Sequence, residues 1–255
     1  MLFNRLKKKN GTGIDPKAYS YEWMLSDAPA VFTVDLTLYD HAPLKGFQQL
    51  AFVSCRSLEG GEPTAETRRR IAQFIAKFAK NDEFAYVGSV ESAGLIQHYF
   101  YIKSRKAWSD LKDAAASAHN FDCRAGIRSD AEWSTYFGVL YPDNAKRQTV
   151  LNSETINKRL ASGDSDAPRR LNILLAFPSP DSRSSCGAAA LKEGFALGES
   201  DSTQEGDLPF TLVVHRIAAM KKSDIDAVTV LAVRLAENFG GRFVNWDCPI
   251  VPRRL

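Results

Sequence analysis

The chain lacks almost every residue pattern on which enzyme sites are built. Its four histidines, His41, His98, His119 and His215, are scattered, and no two share metal-ligand spacing or form a His-Glu-x-x-His pair. Its four cysteines, Cys55, Cys123, Cys186 and Cys248, are as widely spread. With no Cys-x-x-Cys pair, and with Cys55 and Cys123 in apparent strands, they read as free, mostly buried thiols of a reducing cytoplasm. The glycine pairs Gly60-Gly61 and Gly240-Gly241 match neither a phosphate loop nor a dinucleotide fingerprint and read as turns. No apolar run reaches the roughly 18 residues that a membrane-spanning helix needs. The charged start, Met1 to Lys9, is followed by no apolar stretch of a secretory signal.

Charge of one sign is also scarce. The net charge is only +3. Arg5, Lys7, Lys8, Lys9 and Lys17 against Asp15 place +4 in the first 17 residues, leaving the rest close to −1. A folded part so near neutrality argues against a nucleic-acid surface, which needs clustered Lys and Arg to displace counterions. Residues 1–17 read as a flexible basic tail rather than an RNA- or membrane-binding arm.

What is present is core-forming sequence, 44% hydrophobic over 255 residues, enough for two ordinary domains. One order of elements is written twice. In the first half, 31–38 alternates as a strand and 48–57 reads as a second. Thr64 caps a helix with Ile71, Phe74, Ile75 and Phe78 on one stripe. Strands at 84–91 and 97–103 form a hairpin across Ala93-Gly94, Ser104 caps a helix to about 118, and 121–128 closes as a strand. Asp130 then caps a short helix whose Trp133, Tyr136, Phe137 and Leu140 share one side, either as core or as a ligand platform.

In the second half, 143–149 reads as a polar linker and 150–160 as a helix ended by Ser162-Gly163-Asp164. A nearly continuous apolar strand at 170–177 follows, then a helix capped by Asp181 or Ser182 and ended at Gly194. Next come a strand at 195–200, an acidic loop at 201–207, a strand at 210–217, a helix capped by Ser223 or Asp224, and a last strand at 242–246. The expectation is α+β: two ferredoxin-like (βαββαβ) sandwiches with antiparallel sheets, the first with an extra N-terminal strand. The expected domains are 18–145 and 146–255.

Few residues invite chemistry. Cys186 falls in the first turn of an expected helix, where a thiol pKa can drop, so a hydrolase nucleophile stands beside a packed cysteine as a reading. Asp164 and Asp166 share a loop that suits a cation or a basic partner. Asp224 and Asp226 suit the positive end of a helix.

The stretch from Leu151 to Pro252 resembles the family called regulator of ribonuclease activity B, protein inhibitors of ribonuclease E. The resemblance rests on the leading helix, Ser162-Gly163-Asp164, Pro168-Arg169, Lys192-Glu-Gly-Phe195 and Gly240-Gly241-Arg-Phe-Val-Asn-Trp246-Asp247. The first half resembles an uncharacterised bacterial domain known as a fusion partner of that family. It does so through Phe84-Ala-Tyr-Val-Gly-Ser-Val90, His98-Tyr-Phe-Tyr101 and Asp130-Ala-Glu-Trp133 to Pro142. The resemblance implies a cytoplasmic bacterial protein, not an enzyme, with no cofactor. It would dock on the scaffold region of ribonuclease E or a related nuclease and modulate RNA turnover. Arg242 and Asn245 stand where the family ending carries acids, and Asn172 where it carries a histidine.

The candidate partner-binding residues are Gly163, Asp164, Asp166, Arg169, Trp246 and Asp247. The alternative is a small-molecule or nucleotide sensor using a cleft between the halves or the Trp133–Tyr136 cluster.

Overall fold

The computed structural model describes residues 17–202 and 206–253, and the chain divides after Pro142 into two units. The basic tail expected at 1–17 lies outside the described residues except for Lys17, and so do residues 203–205 of the expected acidic loop.

The first unit runs β1 (Ala18–Leu25), β2 (Ala28–Asp35), β3 (Gln49–Arg56), α1 (Ala65–Ala79), β4 (Phe84–Ser92), β5 (Leu95–Ile102), α2 (Arg105–Ala116) and β6 (Asp122–Ser129). Its antiparallel sheet has the order β1-β2-β4-β5-β3-β6, and the β4-β5-β3-β6 part is a ferredoxin-like sandwich with α1 and α2 on one face. Thr64 and Ser104 cap the two helices by accepting from Thr67 N–H and Ala107 N–H, each at 3.1 Å. Ile71 and Ile75 of α1 and Leu111 of α2 are buried against Val53, Phe84 and Phe100. Each such side chain contributes about 1.5–3 kcal/mol on burial.

The extra strand expected at 31–38 is instead the second arm of a hairpin, β1–β2, laid along the β4 edge. β2 stops at Asp35, whose side chain accepts from Thr37 N–H at 3.0 Å and turns the chain into a short 3-10 turn, Leu36–Leu38. β1 carries little signal because Tyr21 is its only buried residue.

The far face of this sheet is covered by residues 130–142. Asp130 accepts from Ser134 N–H at 2.8 Å and Thr135 N–H at 3.0 Å, as a cap does. The segment is nevertheless irregular: Trp133 has φ +56°, and Tyr136–Leu140 form a wide π turn. Trp133 stacks on Tyr101 with centroids 3.9 Å apart, and its indole N–H donates to Phe47 O at 2.8 Å. Tyr136 donates to Asp35 O at 2.7 Å. Both rings are fully buried, so the aromatic cluster is core and offers no platform to a ligand.

The second unit runs α3 (Asn144–Ala161), β7 (Arg169–Phe177), α4 (Pro180–Lys192), β8 (Ala196–Ser202), β9 (Phe210–Ala218), α5 (Lys222–Asn238) and β10 (Arg242–Asp247). The sheet order is β10-β7-β9-β8, again ferredoxin-like. Leu171, Ile173, Leu175 and Phe177 of β7 and Leu212 and Val214 of β9 face α4 and α5. The fold is therefore α+β in both units, built on antiparallel sheets.

Helix starts differ from expectation. α3 begins six residues earlier than the expected Val150, at Asn144, because Asp143 caps it, accepting from Lys146 N–H at 2.8 Å. The cap of α4 is Ser179, which accepts from Ser182 N–H at 3.1 Å with Pro180 at the first helical position. α5 starts at Lys222 with no side-chain cap. Cys186 is fully buried in the core, and burial pushes its thiol up to about 11. A protonated, enclosed thiol does not suit a nucleophile.

Candidate partner-binding surface

The loop between α3 and β7 is fastened to the segment after β10 by a buried ion cluster. α3 ends in a Schellman motif: Gly163 N–H bonds Leu160 O at 3.3 Å and Asp164 N–H bonds Arg159 O at 3.1 Å, with Gly163 at φ +92°. That turn aims the Asp164 carboxylate inward, where it is 2% exposed. It accepts from Arg169 Nη1 at 2.5 Å, Arg159 Nε at 2.9 Å, Ser165 N–H at 2.9 Å and Val251 N–H at 3.0 Å. Burial raises this carboxyl, but the bonds from Arg169, Val251 N–H and Arg159 outweigh it and hold it well below the usual carboxylate range.

Both arginines also clamp the chain beyond β10. Arg159 Nη2 donates to Cys248 O at 2.9 Å and Pro249 O at 3.1 Å, and Arg169 Nη1 donates to Pro249 O at 3.1 Å. Ser165 N–H donates to Val251 O at 2.8 Å, and Arg253 N–H to Gly163 O at 3.1 Å. The rim of the clamp holds exposed Lys158 and Ile250, which with Arg159, Ser162 and Asp164 line a pocket of about 220 Å³.

A second polar cluster seats Trp246. Its indole N–H donates to Asn152 Oδ1 at 2.8 Å. Asn152, fully buried on α3, donates to Asp226 Oδ1 and Thr229 Oγ1 of α5, each at 2.7 Å, and accepts from Gln148 at 2.8 Å. Asp226 in turn pairs with Lys222 at 2.5 Å. Trp246 thus ties β10 to α3, and Asp226 binds groups on two helices rather than only serving the α5 dipole.

Strand register defines the helix-free face of this sheet. Asp247 pairs with Asn172 and Asn172 with His215; Asn245 pairs with Leu174 and Leu174 with Val213; Arg242 pairs with Ala176 and Ala176 with Thr211. Arg170, paired with Ile217, extends the grid, and its Nε donates to Asn172 Oδ1 at 2.7 Å. Ile217 is 65% exposed. Burial and then the Arg170 charge lower the His215 pKa. The surface therefore sets Leu174 and Val213 side by side, with Ile217 beyond His215 on the same strand, and carries Arg170, Arg242 and Asp247 around them. β10 is an edge strand broken by a bulge at Val244, which blunts strand-to-strand association. The glycine pair before it has distinct reasons. Gly240 takes φ +69°, and a Cβ on Gly241 would overlap the Phe177 ring.

Of the six residues singled out from sequence, Gly163, Asp164 and Arg169 meet in the clamp, and Asp247 touches it through Arg159 at 3.6 Å. Gly163, Asp166 and Asp247 are exposed. Asp164 and Arg169 spend their polar groups on the chain itself, and Trp246 faces α3 on the opposite side of β10 from Asp247. Arg159, Arg170, His215 and Ile217 carry no motif. Ile217 is out of phase with the buried Leu212 and Val214, and that alternation is the one sequence signal for the helix-free face. Among the described residues no three His, Cys, Asp or Glu side chains are grouped to hold a metal ion, and no helix is long and apolar enough to cross a membrane.

No curated protein matches the chain. Among solved structures, an unknown protein from Galdieria sulphuraria is similar at 12% identity, over 80% of this chain and 98% of its own, with a TM-score of 0.21. Residues 20–141 match the model of a family of unknown function (DUF695), and residues 149–248 match that of the regulators of ribonuclease activity B. The chain thus carries, in this order, a match to the former family in its first unit and a match to the regulators of ribonuclease activity B in its second.

Proposed function

We propose that the chain is a non-enzymatic regulator that docks on ribonuclease E or a related nuclease scaffold and modulates RNA turnover. The helix-free face of β10-β7-β9 is the docking surface, with exposed Asp247, Asp166 and Gly163 at its clamped end. Asp164 and Arg169 fix the loop that presents them, and Trp246 fixes β10. The observation carrying this reading is that Asn172 on β7 and Arg242 and Asn245 on β10, the positions at which this sequence departs from the family pattern it resembles, share that one face. Two of the three differ from the family pattern by loss of an acid. The partner segment should therefore be less basic than one that suits the family's acidic ending, since rim charges select partners.

The test is isothermal titration of the full chain with the scaffold region of the nuclease from the same organism. Saturable binding that weakens in Asp247→Lys supports the reading. No association at about tens of micromolar, the range of weak specific contacts, would sink it.

A further inference from the structure

The first unit holds a pair of thiols that the regulatory function leaves unused. Cys55 on β3 and Cys123 on β6 are direct cross-strand partners, and their sulfurs lie 3.4 Å apart. Directly opposed residues of antiparallel strands have Cβ atoms about 4.5–5.5 Å apart, and a disulfide needs about 3.5–4.5 Å, so a small shift of the edge strand and a rotation of the side chains close the bond. Among the described residues β6 is the terminal strand of its sheet, bonded only to β3, and can make that shift. The two thiols differ in access: Cys55 is fully buried, whereas Cys123 is half-buried at the start of β6.

We propose that Cys55 and Cys123 form a dithiol modification site that exchanges with a low-molecular-weight disulfide. Cys123, the accessible partner, is the attacking sulfur, and Cys55 resolves. The Cys123 thiolate attacks one sulfur of the small disulfide. That S–S bond breaks, a mixed disulfide forms, and the first small thiol leaves with the proton that Cys123 gave up. Cys55 then gives up its proton and attacks the Cys123 sulfur. The mixed disulfide breaks, the Cys55–Cys123 bond forms, and the second small thiol leaves. The protein dithiol is oxidised by two electrons, and the small disulfide is reduced to two thiols. The hydrogen bond between the two sulfurs lowers the Cys123 pKa against the effect of burial, and the same bond and burial raise that of Cys55, in keeping with this division of roles. The product locks the register of the edge strand to β3 across the span between residues 55 and 123.

The probe is oxidised glutathione, applied to the full chain. The wild type is expected to fall from four free thiols to two and to lose the mass of two hydrogens. Peptide mapping should join the Cys55 and Cys123 peptides while the circular dichroism spectrum is kept. Cys123→Ser should keep its remaining thiols, and Cys55→Ser should stop at the mixed disulfide and gain one glutathionyl group. Should Cys55→Ser not fold, Cys123→Ser decides, because its site is half-exposed. The proposal is overturned if the wild type keeps four thiols, if the bond joins Cys186 and Cys248, if Cys123→Ser loses as many thiols as the wild type, or if oxidation unfolds the chain.

Discussion

Replacing Asp164 with alanine should destabilise the second unit more than any other single polar substitution in it. The carboxylate is 2% exposed and receives four hydrogen bonds, two from arginines. Arg169 is 6% exposed, and Asp164 is its one ion-pair partner among the described residues, so it would keep its charge without that counter-charge. Both arginines keep carbonyl acceptors, but Arg159 is less constrained, since its side chain is 19% exposed against 4% for Arg169. Removing one member of a buried ion pair costs about 3–5 kcal/mol, mostly from the charge left behind. Asp164→Asn is gentler. Its carbonyl oxygen can take over the bonds from Arg169, Ser165 and Val251, and only Arg159 Nε then faces a donor instead of an acceptor. One charge-assisted bond is worth about 1.5–3 kcal/mol. Urea denaturation read at the second unit, with amide exchange at Ser165, Val251 and Arg253, measures both effects. The expected order is wild type, then Asn, then Ala, with lost protection at Val251 in the alanine variant. An alanine variant within about 0.5 kcal/mol of wild type, the range of ordinary surface substitutions, with Val251 still protected, would refute the clamp.

Further outcomes follow from the same contacts. Because the folded state lowers the Asp164 pKa, its stabilisation is complete above about pH 4 and drains away as pH falls below that value; the difference between wild type and Asp164→Asn should shrink in acid denaturation series. His98 is buried beside Tyr86 with its pKa lowered by burial to about 3. It therefore stabilises fully above its unfolded pKa near 6.5 and less as pH falls toward the folded value, so His98→Phe should flatten the pH dependence of first-unit unfolding across that window. Trp246→Phe removes the bond to Asn152, whose oxygen still accepts from Gln148, and should cost about 1 kcal/mol by denaturant midpoint. Ile217→Glu, at a 65% exposed position beside Arg170, should change stability by less than about 1 kcal/mol while weakening docking.

The elements with a strong apolar period were legible in the sequence, and those held by polar bonds were not. β7, β9 and the Ile71–Ile75 stripe of α1 stand out because burial follows their period. The first turns of α3 do not, because Gln148, Thr149 and Asn152 are buried through hydrogen bonds and leave no hydrophobic stripe. β1 escaped notice for the opposite reason, being an edge strand with one buried residue. At the site, Gly163, Asp164 and Arg169 were legible as a motif, but their inward direction depends on the Schellman turn and on a segment some 80 residues away, as in the Arg169–Pro249 bond. The helix-free face was hidden because it is assembled from alternate residues of three strands, none of them distinctive alone.

The most direct test of the account is the affinity of the full chain for the nuclease scaffold region, compared between wild type, Ile217→Glu and Met24→Glu. Met24 is 53% exposed on β1 of the first unit and serves as the control. The account predicts saturable binding by wild type, a loss of about tenfold or more for Ile217→Glu, equivalent to at least 1.4 kcal/mol, and no change for Met24→Glu. Binding that is absent in all three, or that survives Ile217→Glu and fails in Met24→Glu, would contradict it.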